Sequence, residues 1–258
     1  MGELSLQGHL VLTKRGGLWA RSKKGLCRIA VVVGTMALPF CQLPTAQASI
    51  DQDRTSSPRF SRDLDEAIEQ AAERHGVPQS ALRAFAFIES GGRARVSTGS
   101  YHGVFQLSHD EFRKYGGRGS IFDVKQNTDA AARKLRAEID LFDQRNGRGP
   151  TAVELYLMHQ QGIYGAALHL SEPDDPAWQN MHQTGEGKKR GAGWARKAIW
   201  GNVPTDERAK FPAGVESITS RQFIEIWTRK MERFGGDVTT PIPGSAAIEI
   251  ASKMSVDF

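Results

Sequence analysis

Glu89 is the residue of this 258-residue chain best placed for acid–base chemistry. Leu82, Phe85, Ala86 and Glu89 recur at steps of three and four, so they share one side of a helix. Gly91-Gly92 ends that helix and leaves Glu89 in its last turn. A carboxylate there meets the negative end of the helix dipole and lies beside Phe85 and Ile88. Both effects raise its pKa. An acid that keeps its proton near neutrality can protonate a leaving oxygen, as cleavage of a glycosidic bond requires. Ser90 follows directly. A serine nucleophile would need a histidine base and an orienting group, and no such trio can be placed. Ser90 is therefore expected to order the helix end.

Other chemistries find less support. His102 and His109 stand seven apart, with Asp110 nearby, and no H-E-x-x-H occurs. No G-x-G-x-x-G follows a predicted strand, and there is no Walker loop. The reading implies neither metal nor cofactor.

The elements that must position Glu89 are mostly helices. Ser61 can cap a helix over 62–75, and Pro78 and Ser80 open the helix that carries Glu89. Arg93 to Leu107 reads as loop with a short hairpin or extended piece. Ser108-x-x-Glu111 and Thr151-x-x-Glu154 are capping boxes. Between them, a long helix is expected from Asn127 or Thr128 to about Gln144, burying Ala131, Leu135, Ile139 and Phe142. Gly162 should end or kink the helix that follows Thr151. Residues 171–190 read as polar and turn-rich, and a short helix is expected at 192–199. Ser220 is the expected cap of a last helix over 221–234. Trp178, Trp194, Trp200 and Trp227 suit either core packing or stacking under sugar rings.

Composition divides the chain. With 39% hydrophobic and 24% charged residues it can bury a core. The pI near 9.3 suggests nucleic acid. However, the first 48 residues hold six of the 34 basic residues and one of the 29 acids, so the remainder is balanced at 28 each. Residues 21–28 are basic, 29–40 are apolar, and Ala46-Gln47-Ala48 is a small-x-small site. Twelve helical residues span about 18 Å, too short for a bilayer core. The expectation is an export signal over 1–48, cleaved after Ala48, giving a periplasmic protein without stable membrane insertion. Removing that leader removes the argument for nucleic acid. Cys27 and Cys41 both precede the cut, so no disulfide framework is expected. The expected layout continues with a linker at 49–60, a catalytic domain at 61–202, a C-terminal helical extension at 203–235 and a flexible tail at 236–258.

Three segments carry a family resemblance. Phe87-Ile88-Glu89-Ser90-Gly91-Gly92 resembles the E-S-G-G signature of lytic transglycosylases of the soluble type, whose domain has the goose-type lysozyme-like fold. Gly103-Val104-Phe105-Gln106-Leu107, 17 residues from Glu89 to Gln106, is similar to that family's G-L-M-Q-L segment. Asn127 with its Ala-rich helix resembles the stretch before the third motif. That motif normally reads A-Y-N-A-G, and His159-Gln160-Gln161-Gly162 stands in its place. The resemblance covers about residues 65–170.

The resemblance implies a mainly α, lysozyme-like domain with a short β segment. It also implies cleavage of the β-1,4 bond between N-acetylmuramic acid and N-acetylglucosamine in peptidoglycan. Glu89 matches the catalytic glutamate, acid first and base second, and the product would be a 1,6-anhydro end. Gln106 matches a glutamine that lines the glycan cleft, with loop bracing as its other reading. Phe105 replaces a methionine as core or sugar-contacting wall. His159 takes the tyrosine's slot and is expected to be a neutral imidazole near Glu89. Tyr156, one turn earlier, would cover part of the tyrosine's role. Gln160, ahead of Gln161, becomes the candidate for the asparagine's. With Ser90, these are the expected substrate-side residues. Peptidoglycan strands are the expected partner, with envelope or secretion-machinery proteins as further candidates. Lys188-Lys189-Arg190 reads as a solvated face or as an attraction to anionic wall polymer. The alternatives are a hydrolytic muramidase acting on the same bond, with Asp110, Asp123 or Asp129 holding the water, and a non-catalytic wall-glycan binder.

Overall fold

The structure is a computed structural model that describes residues 60–248. The expected export signal, and the linker up to residue 59, lie outside the described residues. Among these residues the chain is mainly helical with one small sheet, and no helix is long and apolar enough to cross a membrane.

Helix α1 (Arg62–His75) opens on Ser61, whose Oγ accepts from the Leu64 N–H, and buries Leu64, Ala67, Ile68 and Ala71. Helix α2 (Gln79–Ser90) carries Glu89. The sheet follows as β1 (Ser97–Thr98), β2 (Tyr101–His102) and β3 (Leu107–Ser108), antiparallel in that order. Ser97 pairs with His102, and His102 with Leu107. Both predicted capping boxes form. Ser108 and Glu111 start α3 (His109–Lys114), and Thr151 and Glu154 start α5 (Ala152–Ser171).

Between them runs α4 (Val124–Asn146), which starts earlier than the spacing predicted. Asp123 is its cap, accepting from the Gln126 N–H. Asn127 sits in the first turn with another task. Its Oδ1 accepts from the Phe105 N–H at 2.9 Å, and its Nδ2 donates to Ile121 O at 2.9 Å and His102 O at 3.3 Å. One buried amide thus ties the β2–β3 loop to α4.

The expected turn-rich stretch is instead α6 (Ala177–Gln183) and α7 (Gly185–Arg190). Buried Ala177 and Met181 hold α6 to the core, and Asn180 Nδ2 donates to Leu168 O, Glu172 O and Ser220 Oγ. Helix α8 runs Ala192–Asn202 and α9 Thr205–Arg208, with a 3-10 turn at Gly214–Ser217. Helix α10 (Ser220–Arg233) is capped by Thr219 in a box with Gln222. Ser220 is buried and bonded to His169 and Asn180, so it is not the cap.

A single buried core includes side chains from α1 to α6, α8 and α10, with Ile242. The expected extension therefore contributes Ile218, Phe223, Ile226, Trp227 and Met231 to the same interior as Leu64 and Phe85. The expected loose tail needs correcting as far as Ser245. Ile242 is buried, and its N–H donates to Pro150 O at 2.8 Å. Arg136 donates to Pro243 O, and Ser245 N–H to Asp140. Polar composition hid this, because the attachment is one apolar side chain plus backbone bonds to α4 and the α4–α5 turn.

Candidate active site

Glu89 owes its position to the end of α2. Gly91 has φ 65°, a left-handed conformation that glycine adopts without strain, and its N–H returns to Phe87 O. Glu89 thus projects from the last turn with its side chain 17% exposed. Phe85, one turn earlier, is fully buried and meets the rings of Tyr156 and His159 edge-on, at 5.0 and 5.5 Å. Trp227 of α10 backs Tyr156 from behind, ring to ring at 5.0 Å.

The Tyr156 hydroxyl donates to Glu89 Oε1 at 2.9 Å and accepts from Gln160 Nε2 at 3.3 Å. His159 Nε2 lies 3.7 Å from the same Oε1. On its far side, Lys134 Nζ donates to His159 Nδ1 at 2.9 Å. Lys134 is 8% exposed and also pairs with Glu111 Oε1 at 3.1 Å and Glu138 Oε1 at 3.7 Å.

The electrostatics follow from this enclosure. Burial pushes the Glu89 carboxyl up to about 7, outweighing the Tyr156 hydrogen bond and the charge of Lys134, which lower it. Burial, helped by Lys134, holds His159 down to about 3, so its imidazole is neutral at ordinary pH. Glu111 is desolvated too, but Lys134 and the Ser108 bonds hold it down to about 2. Glu138, buried near the same ammonium, is raised by desolvation. Tyr156 is raised well above its usual value by burial and by Glu89, so it remains a donor.

Glu89, His159, Lys134, Glu111 and Glu138 line a cavity of about 650 Å³ together with Gln106, Gln160, Gln161 and Tyr164, with Tyr156 buried behind it. That volume falls in the range of small-molecule sites, about 300–1,000 Å³. Gln106 is buried and held at φ 46°, rarely occupied by a residue with a side chain. Its Nε2 donates to Gly103 O at 2.8 Å and Val96 O at 3.2 Å, so it does brace the loop. Its Oε1 has no partner among the described residues; nor do Gln160 Oε1 and Gln161 Nε2. These three amide atoms are buried behind the cavity wall.

The helix break at Gly162 permits this arrangement. Its φ of 70° and ψ of 163° are open essentially only to glycine, and they split α5 just after Gln161. Tyr164, beyond the break, is 65% exposed on the cavity wall.

Three expected substrate-side residues are placed elsewhere: Tyr156 is buried behind Glu89 and reaches the cavity only through it, and two more lie in the interior. Phe105 is buried to 1% in the core and is not a wall of the cavity. Its backbone N–H is held by Asn127, which turns the ring inward. Ser90 is also buried and gives its hydroxyl to Ala86 O at 3.3 Å within its own helix. None of the four C-terminal tryptophans named above lines the cavity.

Nor do the three aspartates considered for holding water. Asp110 is exposed beside Arg113, Asp123 caps α4, and Asp129 is bound by Arg74, His75 and Arg133. Among the described residues, no group of three or more His, Cys, Asp or Glu side chains could hold a metal ion. Sequence reasoning missed Lys134, Glu138 and the second role of Glu111. A signal was available: Lys134 and Glu138 fall in phase with Ala131 and Leu135 on the buried stripe, where an unpaired charge would be costly. The chain matches no protein-family model and no curated protein sequence.

Proposed function

We propose that this protein is a peptidoglycan lytic transglycosylase with a lysozyme-like helical domain, and that Glu89 is its acid and then its base. The observation that carries the reading is the Glu89 carboxyl itself. It is sheltered at the cavity wall, bonded through Oε1 to Tyr156, and able to keep a proton to about pH 7.

The hydrogen-bond direction separates the two carboxyl oxygens. Gln160 donates to the Tyr156 oxygen, so the phenolic hydrogen points to Oε1. The acid proton then sits on Oε2. It passes to the glycosidic oxygen between N-acetylmuramic acid and N-acetylglucosamine as the C1–O bond breaks. The carboxylate left behind takes the proton of the muramoyl 6-hydroxyl, and O6 bonds to C1. The leaving sugar gains one proton, the 1,6-anhydro ring closes, and Glu89 ends protonated again. One carboxyl suffices, unlike the paired carboxylates of most glycosidases.

Of the other carboxylates on the cavity wall, Glu111 is poorly suited to activate a water for hydrolysis. Glu111 is occupied through both oxygens, Oε2 by the Ser108 N–H and hydroxyl and Oε1 by Lys134. A carboxylate held down to about 2 is a poor base for water.

The test is product analysis. Purified peptidoglycan digested with wild type should yield 1,6-anhydro-muropeptides by mass spectrometry, and Glu89→Gln should yield none. Reducing ends alone would replace the reading with a hydrolytic muramidase. Full lytic activity of Glu89→Gln would remove the mechanism, and absence of cleavage with retained binding would leave a glycan-binding protein.

A further inference from the structure

His159 stands between two charged groups that it reaches through different ring nitrogens. Its Nδ1 is 2.9 Å from Lys134 Nζ, and its Nε2 is 3.7 Å from Glu89 Oε1. An ammonium can only donate, so Nδ1 must be the acceptor of that bond. A neutral imidazole with an accepting Nδ1 carries its proton on Nε2. That proton faces Glu89.

We propose that Lys134 is a positioning residue that locks His159 in the Nε2–H tautomer, making the imidazole a second hydrogen-bond donor to Glu89 Oε1 when the carboxylate forms. This inference rests on the reading of Glu89 as acid and base. At rest, with the carboxyl protonated, Tyr156 alone serves Oε1 at hydrogen-bond distance. Once the proton has left for the substrate, the charge draws in the Nε2–H. A movement of less than about 1 Å brings it to the roughly 3 Å of a good N–H···O bond.

The surroundings suit a device that donates without becoming charged. Facing His159 are Lys134 and Glu138 from α4, Glu111 from α3, Glu89 from α2, and Tyr156 and Gln160 from its own helix. The ammonium of Lys134 opposes an imidazolium beside it. The carboxylate of Glu111 offsets the ammonium, so the pair adds little net charge next to Glu89. Lys134 is therefore buried where it can orient the histidine with limited effect on the proton affinity of the acid.

The tautomer can be read directly. In full-length protein labelled with 15N in the histidine rings, long-range 1H–15N correlations identify the protonated nitrogen. Disappearance of a signal in His159→Gln assigns it. The expected result is an Nε2–H imidazole for His159 that does not titrate between pH 5 and 8. An Nδ1–H tautomer, or an imidazolium in that range, overturns the proposal, and this measurement needs no change at Lys134.

The second measurement uses Lys134→Met combined with Glu111→Gln and Glu138→Gln, which avoids leaving either buried carboxylate without its cation. In that variant His159 should become a tautomer mixture or titrate within the range. The kcat for glycan cleavage should fall about 10-fold or more, as loss of one charge-assisted hydrogen bond implies, with KM within about twofold. An unchanged tautomer with unchanged kcat overturns the proposal. If wild type cleaves no glycan, the enzymatic reading fails by itself, whereas the tautomer is decided by the spectrum alone.

Discussion

Tyr156 and Glu89 are 67 residues apart in sequence and joined by one 2.9 Å hydrogen bond, from the phenol to Oε1. The phenol is buried and backed by Trp227, so it has little freedom to leave that bond. Removing the hydroxyl alone, in Tyr156→Phe, keeps the ring and its packing. The bond lowers the pKa of Glu89, so its loss raises that pKa and moves the alkaline limb of the activity profile to higher pH. The maximal rate should fall about 10-fold, the equivalent of one hydrogen bond to a developing charge. A pH–rate series on glycan strands checks both, and an alkaline limb moved to lower pH would contradict the assignment.

The raised pKa also sets the pH dependence of the wild type. The general acid must be protonated in the free enzyme, so kcat/KM should fall as pH rises through about 7. No acidic limb is expected from Glu89 itself.

Stability should respond at the same residue. The native carboxyl titrates near 7 and the unfolded one near 4.5, so stability is lost as pH rises between these values. Glu89→Gln lacks this titration. It should match wild type near pH 4 and exceed it near pH 8 by up to about 3 kcal/mol, the free energy of a shift of that size. Urea denaturation at the two pH values measures the difference, and an equal advantage at both would show that the buried charge is not the cause.

Asn127 links fold to site. It bonds the Phe105 N–H and the carbonyls of Ile121 and His102, and the loop it holds carries Gln106. Asn127→Ala leaves those buried groups without partners, at a cost of about 2–4 kcal/mol. Activity should fall along with stability, because Gln106 loses its anchorage. Denaturation and cleavage assays on one preparation test the coupling. Lost stability with normal cleavage would separate the two roles.

Gln161 offers the opposite pattern. Its Nε2 is buried behind the cavity wall without a partner among the described residues. Gln161→Met should therefore leave the melting temperature unchanged or slightly raised, since it removes an unsatisfied donor. KM for N-acetylated glycan should stay within about twofold, because no ligand atom reaches a buried amide. A lower melting temperature with unchanged KM would mean that the amide serves the fold.

Much of this was legible because it is local. Ser108 with Glu111, Thr151 with Glu154, and the glycines at 91 and 162 act on neighbours three or four residues away, and each does what its spacing predicts. Burial of Glu89 was also readable, from Phe85 one turn before it. What stayed hidden depends on distant partners. Asn127 was read as a helix start because nothing nearby announces that its amide serves the Phe105 loop. Glu111 looked complete as a cap, while its second oxygen is held by Lys134 from another helix. Ser220 resembled a cap as much as Thr219 did, and only the bonds from His169 and Asn180 draw it into the interior. The polar stretch at 171–190 gained its helices from Ala177 and Met181, two apolar anchors too sparse to form a pattern.

The Trp227 ring that supports Tyr156 comes from nearly the opposite end of the chain. During synthesis, residue 89 emerges some 138 positions before that support exists. The Glu89–Tyr156 pairing is therefore backed in full only once α10 has packed against α5.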